Sequence, residues 1–161
     1  MANKIVCLVG MCGSGKSEVA NIFVENGYQY IRFGQIVLDE IIKRGLEIKE
    51  ENERMIREDL RKKHGMEAFA ILNMPKFDKA LEEGNVIGDG LYSWAEYKVL
   101  KDKYGDNLKV VSIFSSPKTR YERLEDRAER HGQDDKKIFR SFTKQDAESR
   151  DYREIEKSDK G

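Results

Sequence analysis

Residues Gly10-Met11-Cys12-Gly13-Ser14-Gly15-Lys16-Ser17 fit the pattern G-x-x-x-x-G-K-[ST]. These residue types at this spacing suit one chemistry, the holding of phosphate. Gly10, Gly13 and Gly15 permit backbone shapes and close approach that a Cβ would obstruct. Successive N–H groups along the loop, through Cys12 and Ser14, can then wrap an anion at a helix start, where the helix dipole adds positive potential. Lys16 is expected to reach the β- and γ-phosphates, and the Ser17 hydroxyl to ligate Mg²⁺. Cys12 reads as a spacer within the loop, although N–H groups beside Lys16 could lower its thiol pKa. Cys7 reads as a small core residue, and the two thiols are poorly placed for a disulfide across a strand end.

Other residues could serve the same chemistry. Asp89 ends an apolar run, a position from which a carboxylate can hold Mg²⁺ directly or through water. The plainer alternative is a turn aspartate in Asp89-Gly90. Arg120, Arg123 and Arg127 recur at spacings of three and four and share a helix face, which Arg130 continues. Such a row can neutralise charge on a transferring phosphoryl group, or it can be a solvated face opposite Glu122, Glu125, Asp126 and Glu129. Its place after the fourth strand favours the first reading, with Arg123 and Arg127 foremost. Arg54, Arg57 and Arg61 share the same spacing, and with Arg32 at a strand end they could grip an acceptor's phosphate. Pairing with Glu50, Glu51, Glu53 and Glu58 is the alternative. His64 and His131 lie at helix ends and read as caps.

The elements that must position these residues alternate. Residues 4–9, 28–33, 85–89 and 108–114 read as strands. Residues 17–26 read as a helix stopped by Gly27, and residues 36–43 as one stopped by Gly45. The charged segment 49–64 carries Met55, Ile56 and Leu60 on one side. Residues 66–83 have a broad apolar face, with Pro75 expected to kink or break the helix. Ser93-Trp94-Ala95-Glu96 matches a capping box opening a helix to about Tyr104. Ser116 is an expected N-cap with Pro117 at the first helical position of a helix to about Arg130. A last helix is expected over 135–150, and residues 151–161 read as a mobile polar tail.

This alternation implies an α/β fold with a mostly parallel sheet, whose strand ends carry the candidate site residues. A chain of 161 residues fits one domain. Thirty Lys and Arg balance thirty Asp and Glu, which gives no global electrostatic case for nucleic acid or an anionic membrane. No apolar run has transmembrane length. Met1-Ala2-Asn3-Lys4 runs into the first strand without a signal-peptide pattern, so a cytoplasmic location is expected. No second apolar run of strand length follows Phe114, so four strands are expected, with the 108–114 edge exposed or covered by the 135–150 helix. The ending Ser158-Asp159-Lys160-Gly161 reads as an interrupted loop, and truncation is expected over a naturally short chain.

The chain resembles the nucleoside-monophosphate-kinase-like P-loop kinases, a group that includes adenylate kinases and dephospho-coenzyme A kinases. It looks nearest to the archaeal-type adenylate kinase-related or dephospho-coenzyme A kinase-like proteins. The residues that carry the likeness are the phosphate loop with Glu18-Val19-Ala20, Arg32-Phe33-Gly34, Asp89-Gly90 with Trp94-Ala95-Glu96, and Ser116-Pro117-Lys118-Thr119-Arg120-Tyr121-Glu122-Arg123-Leu124. The resemblance implies a three-layer P-loop sandwich with five strands, an acceptor-binding helical insert over 36–83 and an arginine lid over 117–131. It also implies an ATP-dependent phosphotransferase that acts with Mg²⁺ on a small phosphorylated acceptor, a nucleoside monophosphate or similar nucleotide. In that scheme Lys16, Asp89, Arg123 and Arg127 carry the catalysis, and Arg32, Arg57 and Arg61 hold the acceptor. Two departures stand out. Gly34-Gln35 replaces the Gly-Asp frequent after strand two, and Arg32 stands where dephospho-coenzyme A kinases carry a catalytic aspartate. A nucleotide-binding switch or regulatory ATPase, with the 49–64 helix as its interface, is the rival from another class.

Overall fold

The computed structural model describes residues 3–131 and 144–156. The chain divides into two compact units, one of Met1–Val9 with Lys16–Ser112 and one of Gly10–Gly15 with Ile113–Gly161.

The first unit holds the sheet. Its strands are β1 (Ile5–Val9), β2 (Gln29–Arg32), β3 (Val86–Asp89) and β4 (Leu108–Ser112). They lie in the order β2-β3-β1-β4, and every pairing is parallel. Four strands among the described residues match the expected number. Residues Ile5 to Leu8 of β1 and all of β3 are buried, as the apolar runs require of inner strands. β4 buries Leu108 and exposes Lys109 to Ser112, so this edge is open among the described residues, with Val110 at 40 % exposure.

Helix α1 (Lys16–Glu25) follows β1 in the chain and buries Ala20. Helices α2 (Gln35–Lys43), α3 (Glu50–His64), α4 (Ala68–Glu83) and α5 (Trp94–Tyr104) enclose the main core. Ile5, Cys7, Phe33, Ile41, Ile56, Phe69, Phe77 and Leu100 meet there. Burial pushes the Cys7 thiol up to about 12, with the Glu96 charge adding to it. Gly88 makes this packing possible. A Cβ on it would come within 3.0 Å of Cys7 Sγ and of the Phe33 ring.

Local rules explain several ends. Ser93 Oγ accepts from Glu96 N, and Glu96 Oε2 accepts from Ser93 N and Tyr92 N, which completes the capping box. Helix α4 runs through Pro75 without a break, so of the expected kink or break the second does not occur. The buried Asn73 ties that stretch inward, donating to Phe69 O at 2.8 Å and to Phe33 O at 3.2 Å. On α3 the expected apolar side is also revised. Met55 is exposed, whereas Glu53 is buried and paired with Arg57.

The second unit holds the loop Gly10–Gly15 and helices α6 (Pro117–His131) and α7 (Lys144–Glu156). Ser116 caps α6 through Thr119 N, as its sequence implies. Leu124 and Ala147 are buried in this unit. The final helix extends past the expected end at Arg150 to Glu156, so residues 151–156 are helical rather than a tail. The sequence concealed this because the inward residue is polar. Asp151 is 5 % exposed and paired with Arg120. The expected helix start at 135 lies outside the described residues.

Candidate functional site

The phosphate loop takes the shape its glycines allow. Gly10, Gly13 and Gly15 have φ of 146°, 79° and 102°, the region that L side chains avoid. Space demands glycine as well. A Cβ on Gly10 would lie 2.3 Å from Ile113 O, and one on Gly13 would lie 2.7 Å from Arg120 O.

Side chains of the same unit hold the loop's carbonyls. Arg120 Nη1 donates to Cys12 O at 3.2 Å. Ser14 O accepts from Ser115 Oγ at 3.1 Å and from Arg123 Nη1 at 3.3 Å. Arg123 Nη1 also donates to Ser115 Oγ at 3.0 Å. In a trans peptide the carbonyl and the following N–H point in opposite directions. Holding Cys12 O and Ser14 O therefore turns the N–H groups of Gly13 and Gly15 away from the arginines. Two donors turned the same way are of use to an anion, while the Ser14 N–H between them donates to Met11 O at 3.2 Å. Ser14 is buried, and its Oγ has no hydrogen-bond partner in the protein, an orphaned polar atom inside the loop. Lys16 and Ser17 follow directly as the first residues of α1, both half-buried.

Of the arginines expected on one lid face, the structure divides the roles. Arg120 is 4 % exposed and grips backbone, so it is not available as a lid residue. Arg123 is exposed beside the loop, and a Cβ on Gly15 would lie 3.6 Å from its Nη1. Arg127 falls on the same helix, and its side chain lies outside the described residues.

The other candidates lie in the first unit. Asp89 ends β3 and is paired in register with Leu8 on one side and Arg32 on the other. It is buried, and its Oδ2 accepts the Tyr30 hydroxyl at 2.9 Å. Burial and then the Asp89 charge push the Tyr30 phenol well above its ordinary value, with Arg32 pulling the other way. The phenol thus stays a donor. Tyr30, Ile31, Arg32, Gln35 and Lys76 line a cavity of about 190 Å³. Gln35 and Lys76 both engage Asp39, at 3.0 and 3.7 Å.

Arg57 and Arg61 do not line that cavity, and packing occupies them elsewhere. Arg57 pairs with the buried Glu53 at 3.3 Å. The Arg61 guanidinium lies over the rings of Phe69 and Tyr92, 5.3 and 4.9 Å from their centres. The cation that joins Arg32 is Lys76, which helical spacing did not single out. Tyr30 was missed too, because its partner Asp89 is 59 residues away.

Among the described residues no three His, Cys, Asp or Glu side chains form a metal cluster. Mg²⁺ on substrate phosphates needs no such cluster, since it takes one or two protein oxygens and keeps its waters. The Ser17 hydroxyl and the buried Asp89 carboxylate, whose hydrogen-bond partner is a neutral phenol, are oxygen donors of the right kind. Neither cysteine is in a disulfide.

Comparison with known proteins agrees with the loop. A family model described as "AAA domain" matches residues 6–153. A UPF0200 protein of Methanococcus vannielii is 35 % identical over 150 residues, covering 92 % of this chain and 78 % of its own length. One from Thermococcus kodakarensis is 36 % identical over 154 residues, covering 94 % and 78 %. A UPF0200/UPF0201 protein of Archaeoglobus fulgidus is 35 % identical over 122 residues, but the match spans only 38 % of that longer relative. Among solved structures, TT1252 from Thermus thermophilus shares the fold with a TM-score of 0.57 at 17 % identity, over 100 % of this chain and 86 % of its own. A chain of the Pnkp1/Rnl/Hen1 RNA repair complex does so at 0.56 and 16 %, over 99 % and 46 %. No helix among the described residues is long and apolar enough to cross a membrane. A matched span of residues 6–153 and relatives above 30 % identity over most of their length lead to one assignment: this chain belongs to the AAA domain family and to the UPF0200 proteins.

Proposed function

We propose that this chain is an ATP-dependent phosphotransferase, moving the γ-phosphate of a loop-bound nucleoside triphosphate to a small phosphorylated acceptor, a nucleoside monophosphate or similar nucleotide. The observation that carries this reading is the loop Gly10–Gly15, whose positive-φ glycines and held carbonyls leave N–H groups turned outward ahead of Lys16. Lys16 binds the β- and γ-phosphates, and Arg123 and Arg127 neutralise charge that develops on the transferring group. Ser17 and Asp89 would hold Mg²⁺, which when bound supplies charge neutralisation at the phosphates. Tyr30 orients Asp89 by its hydroxyl. The cavity with Arg32 and Lys76 supports an anionic acceptor, since both cations border it beside the amide of Gln35. Catalysis is then positioning and charge stabilisation, with no covalent enzyme intermediate.

Titration with ATP–Mg²⁺ tests the donor half. The wild type is expected to bind and to melt at a higher temperature with nucleotide. Lys16→Ala is expected to keep its fold and lose both effects. A folded Lys16→Ala protein with undiminished affinity would rule the reading out.

A further inference from the structure

Helix α7 carries a residue that touches the phosphate loop only through another. Arg120 is buried, and its guanidinium reaches three groups at once. Nε donates to Ser115 O at 3.2 Å, Nη1 donates to Cys12 O at 3.2 Å and to Asp151 Oδ1 at 2.9 Å, and Nη2 donates to Asp151 Oδ2. Tyr121 donates its hydroxyl to Asp151 Oδ2 at 2.9 Å, which gives that carboxylate a third hydrogen bond. The carboxylate thus fixes the plane of the guanidinium, and the guanidinium fixes the Cys12–Gly13 peptide. A bidentate pair restrains rotation in a way that a lone ammonium does not.

Two facts make this more than helix packing. An α6–α7 contact alone could be built from apolar residues, and burying both charges carries a desolvation cost that such residues avoid. Here the pair is at most 5 % exposed. The remaining donors of the guanidinium are aimed at backbone carbonyls of the loop and of the segment before α6, where an apolar residue could not serve. We infer that Asp151 is a positioning residue for the phosphate loop, acting through Arg120, so that docking of α7 sets the orientation of the Cys12–Gly13 peptide and with it nucleotide affinity. The affinity part rests on the nucleotide-binding reading above, whereas the loop-ordering part does not.

The test uses the full chain with Asp151→Asn, Asp151→Glu, Arg120→Lys and the double substitution Arg120→Met/Asp151→Leu. Two quantities are read: affinity for a fluorescent ATP analogue with Mg²⁺, and hydrogen exchange of loop amides in residues 10–17 without nucleotide. Asp151→Asn should weaken binding roughly tenfold or more, by analogy with other outer residues that orient a ligand-holding group. It should also speed loop exchange while amides of β1 and β3 stay protected. Asp151→Glu should recover part of both. Arg120→Lys keeps a charge opposite Asp151 but cannot reach both carbonyls, so it should behave like Asp151→Asn even where that variant folds poorly. The apolar double variant should restore α6–α7 stability without restoring loop protection or affinity. Wild-type loop exchange and affinity in Asp151→Asn, or full recovery in the double variant, would overturn the inference and leave the pair purely structural. Should the wild type itself not bind the analogue, the nucleotide reading fails, and the exchange data alone decide whether Asp151 orders the loop.

Discussion

Gly13 offers a test of how closely the phosphate loop is packed. Gly13 and Gly27 have nearly the same φ, 79° and 83°. They differ in surroundings. A Cβ on Gly27 meets nothing within 4 Å, whereas one on Gly13 would lie 2.7 Å from Arg120 O and 3.1 Å from Leu124 Cγ. Alanine at either position pays for left-handed backbone, about 1–2 kcal/mol. At Gly13 the clash is with the backbone of α6, which cannot step aside as a flexible side chain could. Overpacking of this kind adds roughly 1–3 kcal/mol. Gly13→Ala should therefore be more destabilising than Gly27→Ala by about that increment, in urea unfolding followed by far-UV circular dichroism. It should also weaken ATP–Mg²⁺ binding, because relief of the clash moves the loop off the carbonyl contacts that orient it. Gly27→Ala should leave that affinity unchanged. Equal destabilisation of the two variants, with equal nucleotide affinity, would refute the close approach of α6 to the loop.

Three further outcomes follow from the site. Arg123→Ala should lower kcat more than it changes nucleotide affinity, by roughly 3 kcal/mol of transition-state stabilisation if it acts as other preorganised donors do; unchanged rates would return it to a loop tether through Ser14 O. Tyr30→Phe removes the donor to Asp89 Oδ2 and should slow transfer and raise the Mg²⁺ requirement with ATP affinity little changed; an unaltered Mg²⁺ dependence would deny Asp89 its role. Burial raises the Glu96 carboxyl above its ordinary 4.5, against the N–H groups of Tyr92 and Ser93 and the Arg61 charge. The folded chain thus holds that proton more tightly than the unfolded one, so stability from this group is present below 4.5 and is lost as pH rises through the raised value. Glu96→Gln keeps an acceptor for the cap, and its stability relative to wild type should climb over that interval and then level; a difference independent of pH would contradict the shift.

Legibility of the sequence followed the range of the interaction. The phosphate loop, the Ser93–Glu96 box and the Ser116–Pro117 start obey rules confined to a few neighbouring residues, so their residue types sufficed. The place of β4 at the sheet's edge, among the described residues, followed from the lack of any later apolar run. Pairings across the fold were hidden. Tyr30 with Asp89, Lys76 at the Arg32 cavity and Arg120 with Cys12 O each join residues far apart in the chain, and no periodicity announces them. The arginine row illustrates the limit. Spacing placed Arg120 and Arg123 on one face, but only the fold shows that one is buried against the loop's backbone while the next is exposed beside it. Asp151 was concealed in the same way, since a polar helix end looks like a tail until its buried partner is known.

Phosphoryl transfer from γ-labelled ATP bears most directly on the proposed activity. The wild type and Lys16→Ala would be incubated with Mg²⁺ and a panel of nucleoside monophosphates and coenzyme precursors, and label would be followed into acceptor and into free phosphate. The expected result is label appearing in at least one phosphorylated acceptor with the wild type, far above slow hydrolysis, and no transfer with Lys16→Ala. Hydrolysis that no acceptor in the panel diverts, or transfer that persists in folded Lys16→Ala, would contradict a phosphotransferase built on Gly10 to Ser17.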